Sequence, residues 1–304
     1  MGRMEKRMSA VVLSVLLLAL GGMLLQDLLS GDDSHIYHIT ILMDGSEEAY
    51  WQNFRLGVDR AARDRNADVR YRTRYEGEAG TAQAKALQSA WESGNDGVIL
   101  FPVDQPLLEK TLEEAPAGLA ITVVGADLEN SRVDCTISAD PVEMGRTLAD
   151  AIAQDSITDV LLCLPAQETA AIALRRQGLT QRLTELGIRW STATATPSDL
   201  PALSAGQAVA ALEPTLAEAL CQAAIQPGSV YGIGSSDLLF HHLEEGTVAA
   251  LVVQSDYEVG YLSLLSLLDA LEGTPPQDQL LSCYTVTAEN MFSDPLDQIL
   301  FPST

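Results

Sequence analysis

Short apolar runs alternate with longer amphipathic stretches along this chain, from residue 36 to about residue 286. Residues 97–101 (GVILF) are wholly apolar and end at Pro102, which is typical of a strand buried on both faces. Residues 168–186 instead show helical spacing and are followed by Gly187, a residue type that commonly ends helices. The alternation predicts an α/β fold, in which helices connect parallel strands.

The number of strand-like runs indicates two sheets rather than one. About ten runs alternate with helical stretches of roughly 10–18 residues, too many for one comfortable sheet in a chain of this length. Two doubly wound parallel-sheet lobes are therefore predicted. Ligands of such folds bind beyond the carboxyl ends of the strands, so the cleft between the lobes is the expected site.

The N-terminal segment, residues 1–30, predicts where the chain works. An apolar run of 17 residues from Ser9 to Leu25 is close to the minimum length of a transmembrane helix, and Leu28 and Leu29 extend the segment at the membrane interface. Arg3, Lys6 and Arg7 precede it, and acidic residues follow it, the asymmetry of a segment whose N-terminus stays in the cytoplasm. We expect a single-pass membrane anchor with the folded part extracytoplasmic.

A cleaved signal peptide is the alternative interpretation of the same segment. Ala19, Leu20 and Gly21 provide small residues at a plausible cleavage spacing, and cleavage would give a secreted or periplasmic protein. The apolar character continues beyond this point, which favours the uncleaved anchor. Both interpretations deliver the remainder of the chain outside the cytoplasm.

Charge and motif content exclude several classes of function. A net charge of −24 argues against nucleic-acid binding, which requires Lys and Arg to neutralise phosphates. The four histidines (His35, His38, His241 and His242) show no zinc-ligand spacing with Cys or carboxylates. Neither a dinucleotide fingerprint, a phosphate-binding loop nor a serine nucleophile motif occurs. We therefore expect no enzyme, with no catalytic residues, no metal and no cofactor.

Six short motifs occur in order along the α/β region. They are AYWQNFRLG (49–57), DGVILFPVD (96–104), SADPVEMGRTLADAI (138–152), RRQGL (175–179), EEGTVAALVVQSDYEVGYLSLLSLLDALEG (244–273) and YTVTAENM (284–291). Together they resemble the type I periplasmic-binding-protein superfamily, especially its ribose- and galactose-binding branch.

This resemblance implies two lobes that are discontinuous in sequence. The first would comprise residues 36–139 plus 255–283, and the second residues 140–254 plus 284–304. Three crossings near Asp140, Gln254 and Tyr284 would form the hinge.

The resemblance also implies ligand-binding residues in the cleft. Tyr50 and Trp51 would stack on a sugar ring, since aromatic faces cover its C–H surface. Arg175 and Gln254 would donate hydrogen bonds to its oxygens. The other candidates are Asp44, Phe101, Asp104, Asp127 and Glu213.

Several positions depart from the superfamily's sugar site. Phe101 stands where an Asn is usual, and Gly125 where an Asp is usual, with Asp127 close by as a substitute. Glu213 and Pro214 replace an Asn-Asp pair. About half of the superfamily's polar sugar contacts are missing. A carbohydrate-like ligand is therefore favoured only weakly, and the sequence does not identify it.

Each candidate residue also has a structural interpretation. Trp51 could belong to the core, Arg175 to the charged surface, and Gln254 to the hinge alone. Asp104 precedes a helical stretch and could cap it, whereas Asp127 could lie in a turn.

The function implied by the resemblance is extracytoplasmic solute binding. The small-molecule ligand would be held between the lobes, either for an ABC transporter permease or for a membrane sensor kinase. The alternative is an interaction scaffold that has lost its ligand.

Overall fold

The computed structural model describes residues 35–43, 51–72, 79–125, 128, 130–204, 207–223 and 228–302. Residues Tyr37–Thr304 group into one compact unit. The predicted anchor, residues 9–29, lies outside the described residues and stays a prediction. Among the residues that are described, no helix combines the length and apolar character needed to cross a membrane.

Strands and helices alternate as the sequence predicts. The strands are β1 (Tyr37–Leu42), β2 (Ala67–Arg72), β3 (Gly97–Leu100), β4 (Ala120–Val124), β5 (Cys135–Ala139), β6 (Asp159–Leu164), β7 (Arg189–Thr194), β8 (Ala208–Ala211), β9 (Val230–Ile233), β10 (Val248–Gln254), β11 (Gln279–Leu281) and β12 (Cys283–Val286). The helices are α1 (Gln52–Arg65), α2 (Ala79–Glu92), α3 (Gln105–Leu112), α4 (Pro141–Gln154), α5 (Ala170–Glu185), α6 (Pro214–Ala223), α7 (Asp237–Glu244), α8 (Asp256–Leu271) and α9 (Leu296–Leu300).

Within the described part of the chain, the strands form two six-stranded sheets of the same winding. Their orders are β2-β1-β3-β4-β5-β11 and β7-β6-β8-β9-β10-β12. Adjacent strands run parallel, except that β12 is antiparallel to β10. The predicted architecture of two doubly wound α/β lobes is confirmed. We call the lobe around the first sheet lobe 1 and the lobe around the second sheet lobe 2.

Each sheet has helices on both faces, because successive residues of its central strands enter different apolar clusters. In lobe 1, Ile99 and Leu100 of β3 are fully buried in clusters on opposite faces. In lobe 2, Leu161 and Leu162 of β6 divide in the same way. Side chains of adjacent strand residues point to opposite faces, so an unbroken apolar run fits a strand covered on both sides.

The chain passes between the lobes at three places. β5 ends in lobe 1 at Ala139, and α4 packs on β9, β10 and β12 of lobe 2. β10 ends in lobe 2 at Gln254, and α8 packs on α1 and β4 of lobe 1. The third passage is at Ser282, between β11 of lobe 1 and β12 of lobe 2.

At the third passage, residues 281–286 read in the sequence as one strand, but the structure divides them between two strands. The residues keep a strand-like pattern, but the chain changes its hydrogen-bonding partner. Leu281 pairs with Ala139 of β5, whereas Cys283 pairs with Gln254 of β10. A local pattern does not show which sheet a strand joins.

Candidate functional site

A cavity of about 450 Å³ lies where the carboxyl ends of strands from both sheets meet. Its lining includes Trp51, Phe101 and Val124 of lobe 1, Thr169, Arg175, Glu213 and Ser235 of lobe 2, and Gln254 and Asp256 at a crossing. Apolar side chains thus share the lining with a small group of polar and charged ones. This composition and volume are typical of small-molecule sites.

Two aromatic rings line the lobe 1 side of the cavity, and a third, buried ring supports them. Trp51 precedes α1, and its ring meets that of Phe101 at a centroid distance of 4.8 Å in an edge-to-face arrangement. Phe54, which is buried, contacts the Phe101 ring at 5.2 Å. Edge-to-face packing stabilises such rings. The half-buried Trp51 and Phe101 therefore present a firm apolar surface to a ligand.

The segment after β3 is braced by a fully buried side chain. Gln83 of α2 donates from Nε2 to the Phe101 carbonyl at 2.6 Å, and its Oε1 accepts from the Val103 amide at 3.0 Å. A buried amide with both ends hydrogen-bonded holds the backbone in place. The bond fixes the backbone that carries the Phe101 ring.

Arg175 reaches the cavity because α5 packs directly on α4. A Cβ on Gly145 would lie 2.0 Å from the Arg175 carbonyl, and a Cβ on Gly178 would lie 2.0 Å from the Val142 carbonyl. Only glycine permits so close an approach of two helix backbones. The R-x-x-G motif of residues 175–178 thus contains both the charged side chain, Arg175, and the glycine, Gly178, whose close helix contact positions it.

The Arg175 guanidinium retains free hydrogen-bonding capacity. Nη1 donates to the Leu212 carbonyl at 2.9 Å, whereas the buried Nε has no partner among the described residues. Burial lowers the pKa of Arg175, and the nearby carboxylates of Asp256 and Glu213 partly oppose that shift. An arginine stays charged in proteins, so its remaining N–H groups can donate to a ligand oxygen.

Glu213 serves first as the N-terminal cap of α6. Its Oε1 accepts from the Leu216 amide at 2.7 Å, and its Oε2 from the Thr215 amide at 2.9 Å. Burial raises the pKa of Glu213, although these amides and Arg175 favour the charged form. The same carboxylate lines the cavity and contributes negative charge beside Arg175.

Asp256, the first residue of α8, also lines the cavity, although the sequence did not single it out. Its carboxylate accepts hydrogen bonds from Ser235 Oγ and, at 3.2 Å, from Gln254 Nε2. Burial raises the pKa of Asp256, and Ser235, Gln254 and Arg175 act in the opposite direction. The only sequence signal was an acidic residue two positions after Gln254.

A profile of the periplasmic binding protein domain matches residues 39–275. The chain belongs to this family. A search of curated proteins gives no significant match. The fold of the chain also matches solved structures at 17–19% sequence identity.

Two of those structures are solute-binding proteins, and a third is a glucose-galactose binding protein. A carbohydrate transporter solute-binding protein from Agrobacterium radiobacter, in complex with D-arabinose, has a TM-score of 0.77 at 19% identity and covers 87% of this chain and 99% of its own. An ABC transporter solute-binding protein from Agrobacterium vitis with bound D-fucose has a TM-score of 0.77 at 17% identity. The match covers 87% of this chain and 100% of the other. GanP, a glucose-galactose binding protein from Geobacillus stearothermophilus, has a TM-score of 0.72 at 18% identity. The match covers 84% of this chain and 99% of GanP.

In the structure, the predicted site residues fall into three groups. The cavity lining includes Trp51, Phe101, Arg175, Glu213 and Gln254. Asp104 is not in that lining; its Oδ1 accepts from the Leu107 amide at 3.1 Å and caps α3. Asp44, Tyr50 and Asp127 lie outside the described residues.

Within the described ranges, no group of three His, Cys, Asp or Glu side chains could hold a metal ion. The side chains that line the cavity offer hydrogen bonds, charge and aromatic contact.

Proposed function

We propose that this chain is an extracytoplasmic solute-binding protein that holds a small, carbohydrate-like ligand between its two lobes. We divide the lobes near the boundaries that the sequence predicts, residues 36–139 plus 255–283 and residues 140–254 plus 284–304, but move the third crossing to Ser282, because Cys283 pairs with Gln254 of lobe 2. The observation that supports this function most is one cavity with an aromatic surface from lobe 1 and a guanidinium from lobe 2. Neither lobe alone supplies both.

The lining suits a ring that bears hydroxyl groups. Trp51 and Phe101 would cover its C–H face, as aromatic side chains do. Arg175 would donate to a hydroxyl oxygen, and Asp256 would accept from a hydroxyl hydrogen. Two of the similar structures hold D-arabinose and D-fucose, which are compounds of this kind.

The partner in this proposal is a membrane protein that recognises the liganded form. An ABC permease would receive the solute, whereas a sensor kinase would respond to it. An anchor through residues 9–29 would keep the binding lobes near either partner, and cleavage of that segment would instead release them.

A thermal-shift screen of the purified protein tests the proposal. The panel contains pentoses, hexoses and deoxyhexoses, including D-arabinose and D-fucose, with purines and amino acids as comparison compounds. A ligand that binds only the folded state stabilises it by about 2.7 kcal/mol at a concentration 100 times its Kd. We expect a concentration-dependent rise in melting temperature with at least one sugar. No response to any compound would favour the non-binding scaffold.

A further inference from the structure

The carboxylate of Asp256 connects the two lobes beside the cavity. Asp256 begins α8, which packs on α1, β3, β4 and β5 of lobe 1. Ser235, whose Oγ donates to this carboxylate, follows β9 in lobe 2. We call this hydrogen bond the interlobe bridge. Gln254 of β10 donates to the other carboxylate oxygen, Oδ1, and thereby orients it.

The interlobe bridge also separates two cavities. Ser235 and Asp256 line the main cavity of about 450 Å³ and a second cavity of about 210 Å³. The second cavity lies between the first turn of α1, the start of α7 and residues 300–302 near the C-terminus. Asn53 Nδ2 donates to the Leu300 carbonyl at 3.0 Å on its border.

Capping of α8 does not account for the Asp256 carboxylate. Ser255 is the N-cap, and its Oγ accepts from the Glu258 amide at 3.2 Å. The helix N-terminus favours an acidic residue in the first turn, but that effect does not require contact with the opposite lobe. Instead, one carboxylate oxygen accepts a hydrogen bond from Ser235 and the other accepts one from Gln254, and both partners line the main cavity.

We propose that Asp256 is a ligand-positioning residue that holds the lobes together along this side of the cleft and closes the main cavity toward the second one. The interlobe bridge keeps lobe 1 against the loop after β9, and this fixes the polar end of the cavity around Arg175. The effect of the interlobe bridge on ligand affinity rests on the proposed function, whereas its effect on the contact between the lobes does not.

Hydrogen exchange of the full chain without ligand tests this inference. Three variants are compared with the unchanged protein. Asp256→Ala removes both hydrogen bonds, and Ser235→Ala removes only the interlobe bridge. Asp256→Asn retains both, since its amide can accept from one neighbour and donate to the other. Ser198→Ala, on an exposed loop of lobe 2, is the matched serine control.

The informative segments are residues 51–56 and 296–302. Each contains residues that line the second cavity, Gln52, Asn53 and Leu56 in lobe 1 and residues 300–302 in lobe 2, and neither segment bonds to Asp256. We expect Asp256→Ala and Ser235→Ala to raise the exchange rates of these segments about two- to tenfold. This is the increase in the population of the locally opened state that loss of one hydrogen bond would cause. Asp256→Asn and Ser198→Ala should not raise these exchange rates. A change confined to the first turn of α8, or equal effects of Asp256→Ala and Asp256→Asn, would overturn the inference.

Discussion

The site places a single cation between two carboxylates. Arg175 faces Glu213 of the loop before α6 and Asp256 of α8, and all three line the cavity. Both acids already accept protein hydrogen bonds, yet each carboxylate oxygen has a second lone pair. The arrangement can therefore accept hydroxyl hydrogens and donate to a hydroxyl oxygen of a ligand in the cavity that the Trp51 ring also lines.

The raised pKa of Asp256 predicts a pH-dependent change in stability. Burial favours the neutral form of this carboxyl, whereas its hydrogen bonds and Arg175 favour the charged form. The effect of burial is the larger, so the pKa is raised. A carboxyl with a raised folded-state pKa destabilises the folded protein at pH values above that pKa. The cost disappears as pH falls below the unfolded-state value of about 4. Asp256→Asn should therefore raise the melting temperature at pH 8, and the gain should vanish near pH 4.

The measurement is thermal unfolding followed by circular dichroism between pH 4 and pH 8. Asp199→Asn, on an exposed loop of lobe 2, is the matched control and should change the melting temperature little at any pH. A gain for Asp256→Asn that stays constant across this pH range would contradict the assignment of the effect to ionisation.

At the scale of elements, each lobe contains one helix pair in backbone contact through two glycines. In lobe 2 the pair is α4 and α5, through Gly145 and Gly178. In lobe 1 it is α1 and α8, where a Cβ on Gly57 would lie 2.0 Å from the Tyr257 carbonyl and a Cβ on Gly260 2.1 Å from the Phe54 carbonyl. These contacts place Arg175 in lobe 2 and support the Phe54 ring in lobe 1.

Gly178→Ala should destabilise the protein by about 1–3 kcal/mol, because the added methyl group meets a backbone carbonyl that can move only with its helix. Gly118→Ala is the control. Gly118 has open space around its Cβ position, so its free energy of unfolding should change by less than about 1 kcal/mol. Urea denaturation measures both values. Equal losses for the two variants would contradict the close-contact explanation.

The sequence predicted the elements better than their connections. Apolar runs located the central strands, and R-x-x-G located Arg175 beside its packing glycine. Asp256 was missed because its bond to Ser235 joins residues 21 positions apart in different lobes. The division of residues 281–286 between sheets was missed for the same reason. Both depend on contacts between distant segments, which local patterns do not specify.

At the scale of the whole molecule, two lobes of the same strand order share one cavity and three chain crossings. Closure about such crossings would bring the aromatic surface of one lobe against the polar groups of the other. Affinity in this arrangement depends on both lobes. A variant in one lobe should weaken binding even when every contact in the other is intact.

Isothermal titration calorimetry with the sugar found in the screen tests the central claim most directly. The unchanged protein should bind one ligand per chain. Trp51→Ala should weaken binding by about 1–3 kcal/mol, roughly 5- to 150-fold in Kd, because it removes the stacking surface. Trp190→Ala, on the exposed edge strand β7, should leave the Kd unchanged. The same Kd for all three proteins would place the ligand outside the cleft and contradict the account.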